Sequence, residues 1–569
     1  MISTFTGATT EALAGILEEK EVRRTKEMFL LFNMGCQYDH HIKQRLEKLG
    51  VYCLVADPAR VSAHDVELIR PIGIIISGGP ASVHSEPPPF DSTIFDLGIR
   101  IFGICLGFQM WARHVGANVI QADHREFGPH RMTLRKKSPL FENCGDEFEF
   151  TVLESHGDRI EHNERIDELA FTKNSPIAAG NHKHLWGVQF HPEVTHTEHG
   201  LKIFENFCFK ICGAKDRFPA QNIAEKKIRE LCEKIGDKKV ILALSGGSDS
   251  STVAYLLKEA FKEKARQMHT NYLALTGDSE SSSASCSLKE VLKEKLCRIR
   301  AVYIRGIDRP DDEAHVIKYF GNQDWIELKI VDATDAFLEA LIGKTKAREK
   351  RLAIRVPYKE ILEREASEYD DGNGVLIAQG TLYTDISESG GGYASGARKA
   401  VIKIHHNTNL GFSIPELTPL DDCMKDSGRN IGRSIGVPED LLTRHPFPGP
   451  GLAIRVEDEV TKEGLSIGRE ADGILIDELR KWKLYHTVWQ AGVRITISIT
   501  TCTKGSDAAE GIVAIPWAVW SVDGFTAQWA QLPYDFLDAL SKRLTNEIRE
   551  IGSVAYRISD KPPSTIEFE

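Results

Sequence analysis

Between Met28 and Ala214, short β-rich runs (FLLF, VYCLVA, IGIIIS, IRIFGI) alternate with helical patterns such as HHIKQRLEKLG. Strands alternating with helices imply a parallel sheet flanked by helices. A second alternation begins near Pro219, where the helical pattern NIAEKKIRELCEKIG precedes the strand KKVILALS. Further strands are expected at NYLALTG, AVYIRGI, IELKIVD and VLIAQGT. The breaker-rich RHPFPGPG, Arg444–Gly451, marks a boundary. Beyond it, helices expected near Glu470–Lys483 and Tyr534–Ile551 flank the strand-like RITISITT and GIVAIPWAVW. The reading is an α/β chain with an extension at 1–27 (helical from Thr10), parallel-sheet domains at 28–214 and 215–445, and a small α+β domain at 446–569. No internal repeat is visible, and the serine cluster Ser279–Ser287 reads as a loop.

A chain of 569 residues has room for several such domains. At 41% hydrophobic and 27% charged, its composition is that of a soluble globular protein. The net charge of −11 argues against a large nucleic-acid footprint. No apolar run approaches a bilayer-spanning length, and the N-terminal residues lack the pattern of a signal or transit peptide. Eleven cysteines without paired spacing suit a reducing cytoplasm, and Cys208 and Cys212 read as buried small residues rather than metal ligands.

SGGSDSS, Ser245–Ser251, would read as a linker if its flanks were polar. Instead it follows the apolar VILAL and runs into the amphipathic STVAYLLKEAFKEK. A strand, a glycine-rich turn and a helix start together expose backbone N–H groups to an anion. Gly246 and Gly247 allow close backbone approach, the Ser245, Ser250 and Ser251 hydroxyls can donate to phosphate oxygens, and Asp249 suits a Mg²⁺ that bridges phosphates. The Lys-Ser/Thr ending of a γ-phosphate-transfer loop is missing. The stretch resembles the SGGxDS loop of the N-type ATP pyrophosphatases, which split ATP between its α- and β-phosphates.

IFGICLGFQ places Cys105 between two glycines directly after an apolar strand, a turn that can present a nucleophile. WGVQFHPEVTH supplies His191 and, two residues on, Glu193, so the carboxylate can orient an imidazole that accepts the thiol proton. IISGGP offers backbone N–H groups at Gly78 and Gly79 for an oxyanion, and the Leu106 amide is a second donor. In this order the segments resemble the class I glutamine amidotransferases. That resemblance implies attack by Cys105 on a glutamine amide, with Gln109, Ser155 and His156 helping to hold the substrate.

The order of the two halves, with AQGTLYTDISES, IKIHHN, RHPFPGPGLAIR, LPYDF and the terminal KPPSTIEFE, resembles the glutamine-hydrolysing GMP synthase family from residue 28 onward. The resemblance implies ATP and Mg²⁺ as substrate and cofactor, a homodimer through the third domain, and XMP as acceptor. It implies nucleotide-handling roles for Gly380, Asp385 and Glu388, and acceptor-binding roles for Arg351, Pro448, Gly449, Lys561 and Glu567. Three segments depart from the family pattern. TGDSESSS replaces a DNGLLR-like stretch, ITTCTKGSD replaces an RSVGVxGD-like one, and IPWAVW puts Trp517 where an arginine is expected and Trp520 where a glutamate is expected. An indole cannot replace a bidentate guanidinium. Two acceptors therefore stay open, XMP and a different purine or heterocycle. A turnover-deficient regulatory module is disfavoured by the intact Cys105, His191 and Glu193, and a sulfur-transferring pyrophosphatase by the amidotransferase half.

Overall fold

The computed structural model describes residues 4–23, 25–35, 39–84, 89–145, 148–194, 197–218, 220–276, 298–382, 385, 410–423, 425–504, 507–521, 527–561 and 564–568. It is a mixed α/β structure of two compact units, the first ending at Ile223 and the second opening at Ala224.

In the first unit the strands are β1 (Phe29–Phe32), β2 (Cys53–Ala56), β3 (Gly73–Ile76), β4 (Ile101–Ile104), β5 (Val119–Leu134), β6 (Glu149–Ile160), β7 (Asp167–Phe171), β8 (Ala179–His182) and β9 (Leu185–Val188). They form one sheet in the order β2-β1-β3-β4-β9-β8-β7-β5-β6. Pairing is parallel from β2 to β9 and antiparallel from β9 to β6. Side chains alternate across the parallel strands: Phe29, Leu31, Ile75, Phe102 and Ile104 enter one core, Leu30, Phe32, Ile74, Ile76 and Ile101 the other. Apolar runs of this kind are what a strand covered on both faces requires. The N-terminal residues add a helix at Thr10–Val22, and the fully buried Phe5 forms an isolated bridge with Ala56.

In the second unit β10 (Lys239–Ala243), β11 (Ile299–Arg305), β12 (Glu327–Asp332), β13 (Val375–Ala378) and β14 (Glu416–Leu417) pair in parallel in the order β12-β11-β10-β13-β14. The strand expected at NYLALTG is not one. A single helix runs from Ser248 to Thr276 through it, and β11 takes the sheet position beside β10. A four-residue apolar run does not by itself distinguish strand from helix, and Leu and Ala favour the helix.

The C-terminal segment lies in this same unit. Leu452, Ala453 and Val456 pack in one core with Ile241, Val302 and Ile377 of the parallel sheet. The strands β15 (Gln490–Lys504), β16 (Asp507–Trp520), β17 (Gln528–Trp529) and β18 (Ile551–Val554) form a third sheet, antiparallel but for β18, which pairs parallel to β16. Helices Lys462–Lys481 and Tyr534–Glu547 contribute Leu475, Leu479, Phe536 and Leu540 to the core against Val493 and Ala514. Ile551, expected to end a helix, instead opens β18.

Candidate functional site

Cys105 stands between the end of β4 and the helix Leu106–His114, with φ +51° and ψ −105°, a conformation that a non-glycine residue rarely adopts. Its glycine neighbours make the turn sterically possible. A Cβ on Gly107 would lie 2.4 Å from the Ile76 carbonyl oxygen, and one on Gly103 would lie 2.6 Å from the Gly107 carbonyl. Leu106 opens the helix, so its N–H has no partner within the helix and points along the positive end of the dipole. Gly79 adjoins it: a Cβ there would lie 2.5 Å from the Met34 carbonyl oxygen and 2.9 Å from Leu106 Cδ2. Gly78 is buried beside it, its carbonyl accepting from Ser77 Oγ at 2.9 Å.

His191 is buried, and its Nδ1 lies 2.6 Å from Glu193 Oε1, which leaves Nε2 for the Cys105 thiol with which the imidazole hydrogen-bonds. Burial acts to lower its pKa, yet Glu193 and the Cys105 contact raise it well above the ordinary imidazole range. Glu193 is fully buried. The segment is anchored to β6, His191 N–H donating to the Leu153 carbonyl at 3.0 Å. Gln189 Nε2 lies 3.6 Å from Cys105 Sγ, and its Oε1 accepts from Gln109 Nε2 at 3.2 Å. Gln109 thus sits one residue removed from the thiol. On β6 the expected substrate holders diverge: Ser155 is exposed, while His156 is buried beside Glu126 and Glu154. Burial acts against its charge, but the two carboxylates raise the His156 pKa to about 10.

The Ser245–Ser251 loop lies beyond the C-terminal end of β10, where open parallel sheets place their ligands. Gly246 has φ +72°, and the helix starts at Ser248. Ser245 and Ser250 hydroxyls lie 3.1 Å apart, and Ser250 Oγ accepts from Ser245 N at 3.2 Å. The fully buried Ser251 hydroxyl has no hydrogen-bond partner among the described residues. Gly380, beyond the end of β13, is forced to be glycine, since a Cβ would lie 2.7 Å from the Ser250 amide nitrogen. Asp249 accepts from Ser248 Oγ at 2.7 Å and pairs with Lys425 Nζ at 3.4 Å. One half-buried carboxylate beside an anion loop is the donor set that Mg²⁺ uses together with substrate phosphates and water, so Asp249 fits that ion. Asp385 accepts from the Leu382 N–H at 3.0 Å in a local turn, and Glu388 lies outside the described residues.

Of the expected acceptor residues, Arg351 is buried on the helix Ala347–Ala353. Pro448 closes a turn by accepting from Gly451 N at 2.8 Å, with Gly449 partly exposed inside it. Lys561 exchanges backbone hydrogen bonds with Ala527 at 2.7 and 2.9 Å. Glu567 is buried: Oε1 accepts from Arg455 Nη2 at 2.9 Å and Gln490 Nε2 at 2.7 Å, and Oε2 from Arg455 Nε at 3.3 Å. Arg455, 1% exposed, also pairs with Asp472 at 2.6 Å, and its guanidinium lies 5.4 Å from the centre of the Trp517 ring.

Comparison with known proteins covers both units. Residues 30–211 match the family "Glutamine amidotransferase class-I", 221–309 match "NAD synthase" and 477–568 match "GMP synthase C terminal domain". A GMP synthase [glutamine-hydrolyzing] of Aquifex aeolicus is 39% identical over 95% of this chain and 99% of its own. The protein of that name from Thermosynechococcus vestitus is 37% identical over 96% and 97%, and that from Gloeothece citriformis 36% over 97% of each. The chain belongs to the glutamine-hydrolysing GMP synthase family.

Against the GMP synthase pattern the structure adds residues that sequence reasoning passed over. Arg444, 5% exposed, pairs with Asp312 at 2.7 Å and Asp311 at 3.1 Å, while its Nη1 has no hydrogen-bond partner among the described residues. That nitrogen lies 3.8 Å from where a Gly246 Cβ would stand. A buried guanidinium nitrogen left without a partner beside this loop is free to donate a hydrogen bond to an anion there. The signal lay in RHPFPGPG, where the breakers drew attention from the arginine. Lys425 and the Glu126–Glu154 pair carry no local sequence signal.

Proposed function

We propose that the chain converts XMP, ATP, glutamine and water to GMP, AMP, pyrophosphate and glutamate. The observation that carries this reading is the Cys105–His191–Glu193 arrangement in one chain with the Ser245–Ser251 loop. In the glutaminase half, His191 takes the thiol proton as Cys105 Sγ attacks the amide carbon. The carbonyl oxygen becomes an oxyanion facing the amides of Gly79 and Leu106, with Gly78 shaping the turn. The C–N bond breaks as His191 returns the proton to the leaving nitrogen, and water then hydrolyses the thioester. Gln109 and Ser155 are assigned to the substrate, whereas His156 is buried between Glu126 and Glu154.

In the synthetase half, the Gly246 and Gly247 amides and the Ser245, Ser250 and Ser251 hydroxyls grip the pyrophosphate of ATP, with Gly380, Asp385 and Glu388 around the nucleotide. Bound Mg²⁺ at Asp249 would offset the phosphate charge. The acceptor oxygen displaces pyrophosphate at the α-phosphorus, and ammonia then displaces AMP. Arg351, Pro448, Gly449, Lys561 and Glu567 are assigned to the acceptor. The domains read as 28–214, 215–445 and 446–569, after an extension at 1–27. The working form is a cytoplasmic homodimer joined through the last domain. Among the described residues, no helix is long and apolar enough to cross a membrane.

The second reading keeps the chemistry and changes the acceptor to another purine or heterocycle, and it is favoured by Trp517, an indole where an arginine is expected. One incubation separates the two. With XMP, ATP, Mg²⁺ and ammonium the chain should yield GMP and AMP, and their absence at saturating XMP removes the first reading. Cys105→Ala should abolish the glutamine-dependent reaction and spare the ammonium-dependent one.

A further inference from the structure

The antiparallel pairing of β5 with β6 sets Glu126 opposite His156, and Glu154 lies two residues back on the same face. All three side chains are at most 2% exposed. His156 Nε2 lies 3.0 Å from Glu154 Oε2 and 3.4 Å from Glu126 Oε2. One donor atom from each residue falls within 4.8 Å of the others.

The two carboxylates are held differently. Glu126 accepts from Thr172 Oγ1 at 2.9 Å and from Ser175 Oγ at 2.7 Å. The fully buried Glu154 has no hydrogen-bond donor among the described residues besides the single His156 nitrogen that it shares with Glu126. Even with His156 protonated, two buried carboxylates leave one uncompensated negative charge, and a divalent ion that displaces the Nε2 proton would balance it.

The spacing suits a small ion. Zinc–nitrogen and zinc–oxygen bonds of about 2.0–2.1 Å at tetrahedral angles separate neighbouring donors by roughly 3.3 Å, and the two measured separations lie on either side of that. Mixed imidazole and carboxylate donors select a first-row transition ion over Mg²⁺ or Ca²⁺, which want oxygen alone. The Thr172 and Ser175 hydroxyls supply the outer hydrogen bonds that orient a ligating carboxylate. His130, partly exposed, lies beside the cluster with Nδ1 3.7 Å from Glu126 Oε1.

We propose that Glu126, Glu154 and His156 form a binding site for a divalent transition-metal ion of the Zn²⁺ type, held through His156 Nε2 and one oxygen of each carboxylate. The site shares no residue with the nucleotide loop or its Asp249, and it does not depend on which acceptor the enzyme aminates.

The test uses the full chain with Cys105→Ser, so that the nearby thiol supplies no ligand. The protein is stripped with a chelator and titrated with Zn²⁺ by calorimetry without nucleotide. One ion should bind per chain, and adding Glu154→Gln should weaken binding on the order of tenfold or more. Absence of uptake, or uptake unchanged by Glu154→Gln, overturns the site. Zinc-edge X-ray absorption of the loaded protein guards against a misfolded variant. A shell of nitrogen and oxygen supports the assignment, whereas sulfur ligands place the ion on thiols and refute it.

Discussion

Gly107→Ala isolates the contribution of the Cys105 turn. The added methyl would meet the Ile76 carbonyl oxygen at 2.4 Å and Ile76 Cβ and Cγ2 at 2.9 Å. An ordinary carbon–oxygen contact is about 3.3 Å or longer, so the start of the helix Leu106–His114 must retreat from β3 by roughly 1 Å. Overpacking of this kind costs about 1–3 kcal/mol, partly offset by the roughly 1 kcal/mol that alanine gains over glycine inside a helix. The net loss of stability is small, about 1 kcal/mol. The catalytic loss is not small. The retreating residues carry the Leu106 amide and follow directly on the nucleophile, and a displacement of about 1 Å in an aligned site costs on the order of 100-fold in rate.

The assay compares glutamine and ammonium as nitrogen donors for the variant, with a thermal melt alongside. The expected result is a folded protein with glutamine-dependent turnover down about 100-fold and ammonium-dependent turnover equal to the parent's. A glutaminase rate equal to the parent's would refute the argument that this turn fixes the nucleophile. Equal losses with both donors would show general damage instead.

Glu193→Gln removes the carboxylate that raises the His191 pKa, so the His191 titration should move down toward the ordinary imidazole range. Glutaminase turnover should fall by about 10²–10⁴, read from a pH–rate profile. Glu567→Ala strips two guanidinium contacts from Arg455, leaving Asp472 as its carboxylate partner among the described residues. It should destabilise the second unit by about 3 kcal/mol, measured by urea unfolding. His445 stacks on Tyr485 at 4.0 Å and donates from Nε2 to the Tyr485 carbonyl at 2.6 Å, with Nδ1 buried and without a hydrogen-bond partner among the described residues. Burial, with Arg309, His486 and Arg480 nearby, lowers its pKa to about 4 from 6.5. The unfolded chain then takes up a proton that the folded one refuses. This stabilising share is complete above about pH 6.5 and is lost as pH falls toward 4, about 3 kcal/mol in all, visible as a falling denaturation midpoint over that interval.

The parallel sheets were legible because a strand covered on both faces must be apolar throughout, as β1, β3, β4 and β13 are and as β10 is after Lys239. The failure at NYLALTG has the same root. Burial explains apolar residues in strand and helix alike, and here the long helix from Ser248 continues through them. The Cys105 turn and the Ser245 loop were legible because each is a local device, in which neighbouring residues and forced glycines set the geometry. His191 and Glu193 could be paired for the same reason, being two residues apart, although a turn rather than the expected extended segment brings them together.

What the sequence hid is whatever depends on register between distant segments. Glu126 meets His156 only through the β5–β6 pairing, which carries an irregularity between Gln121 and Glu126. Without that shift, the alternation of the strand would aim Glu126 to the other face. The acceptor end shows the same limit more sharply. A missing arginine at Trp517 reads in sequence as one lost phosphate contact. In the structure the indole is 1% exposed and lies against Arg455, whose carboxylate partners come from Asp472 and, 112 residues along, Glu567. The indole fills the core beside an arginine that is already paired, so an arginine restored there would have to share Asp472 and Glu567 or stand unpaired. The exchange at this position is therefore coupled to the whole buried ion network.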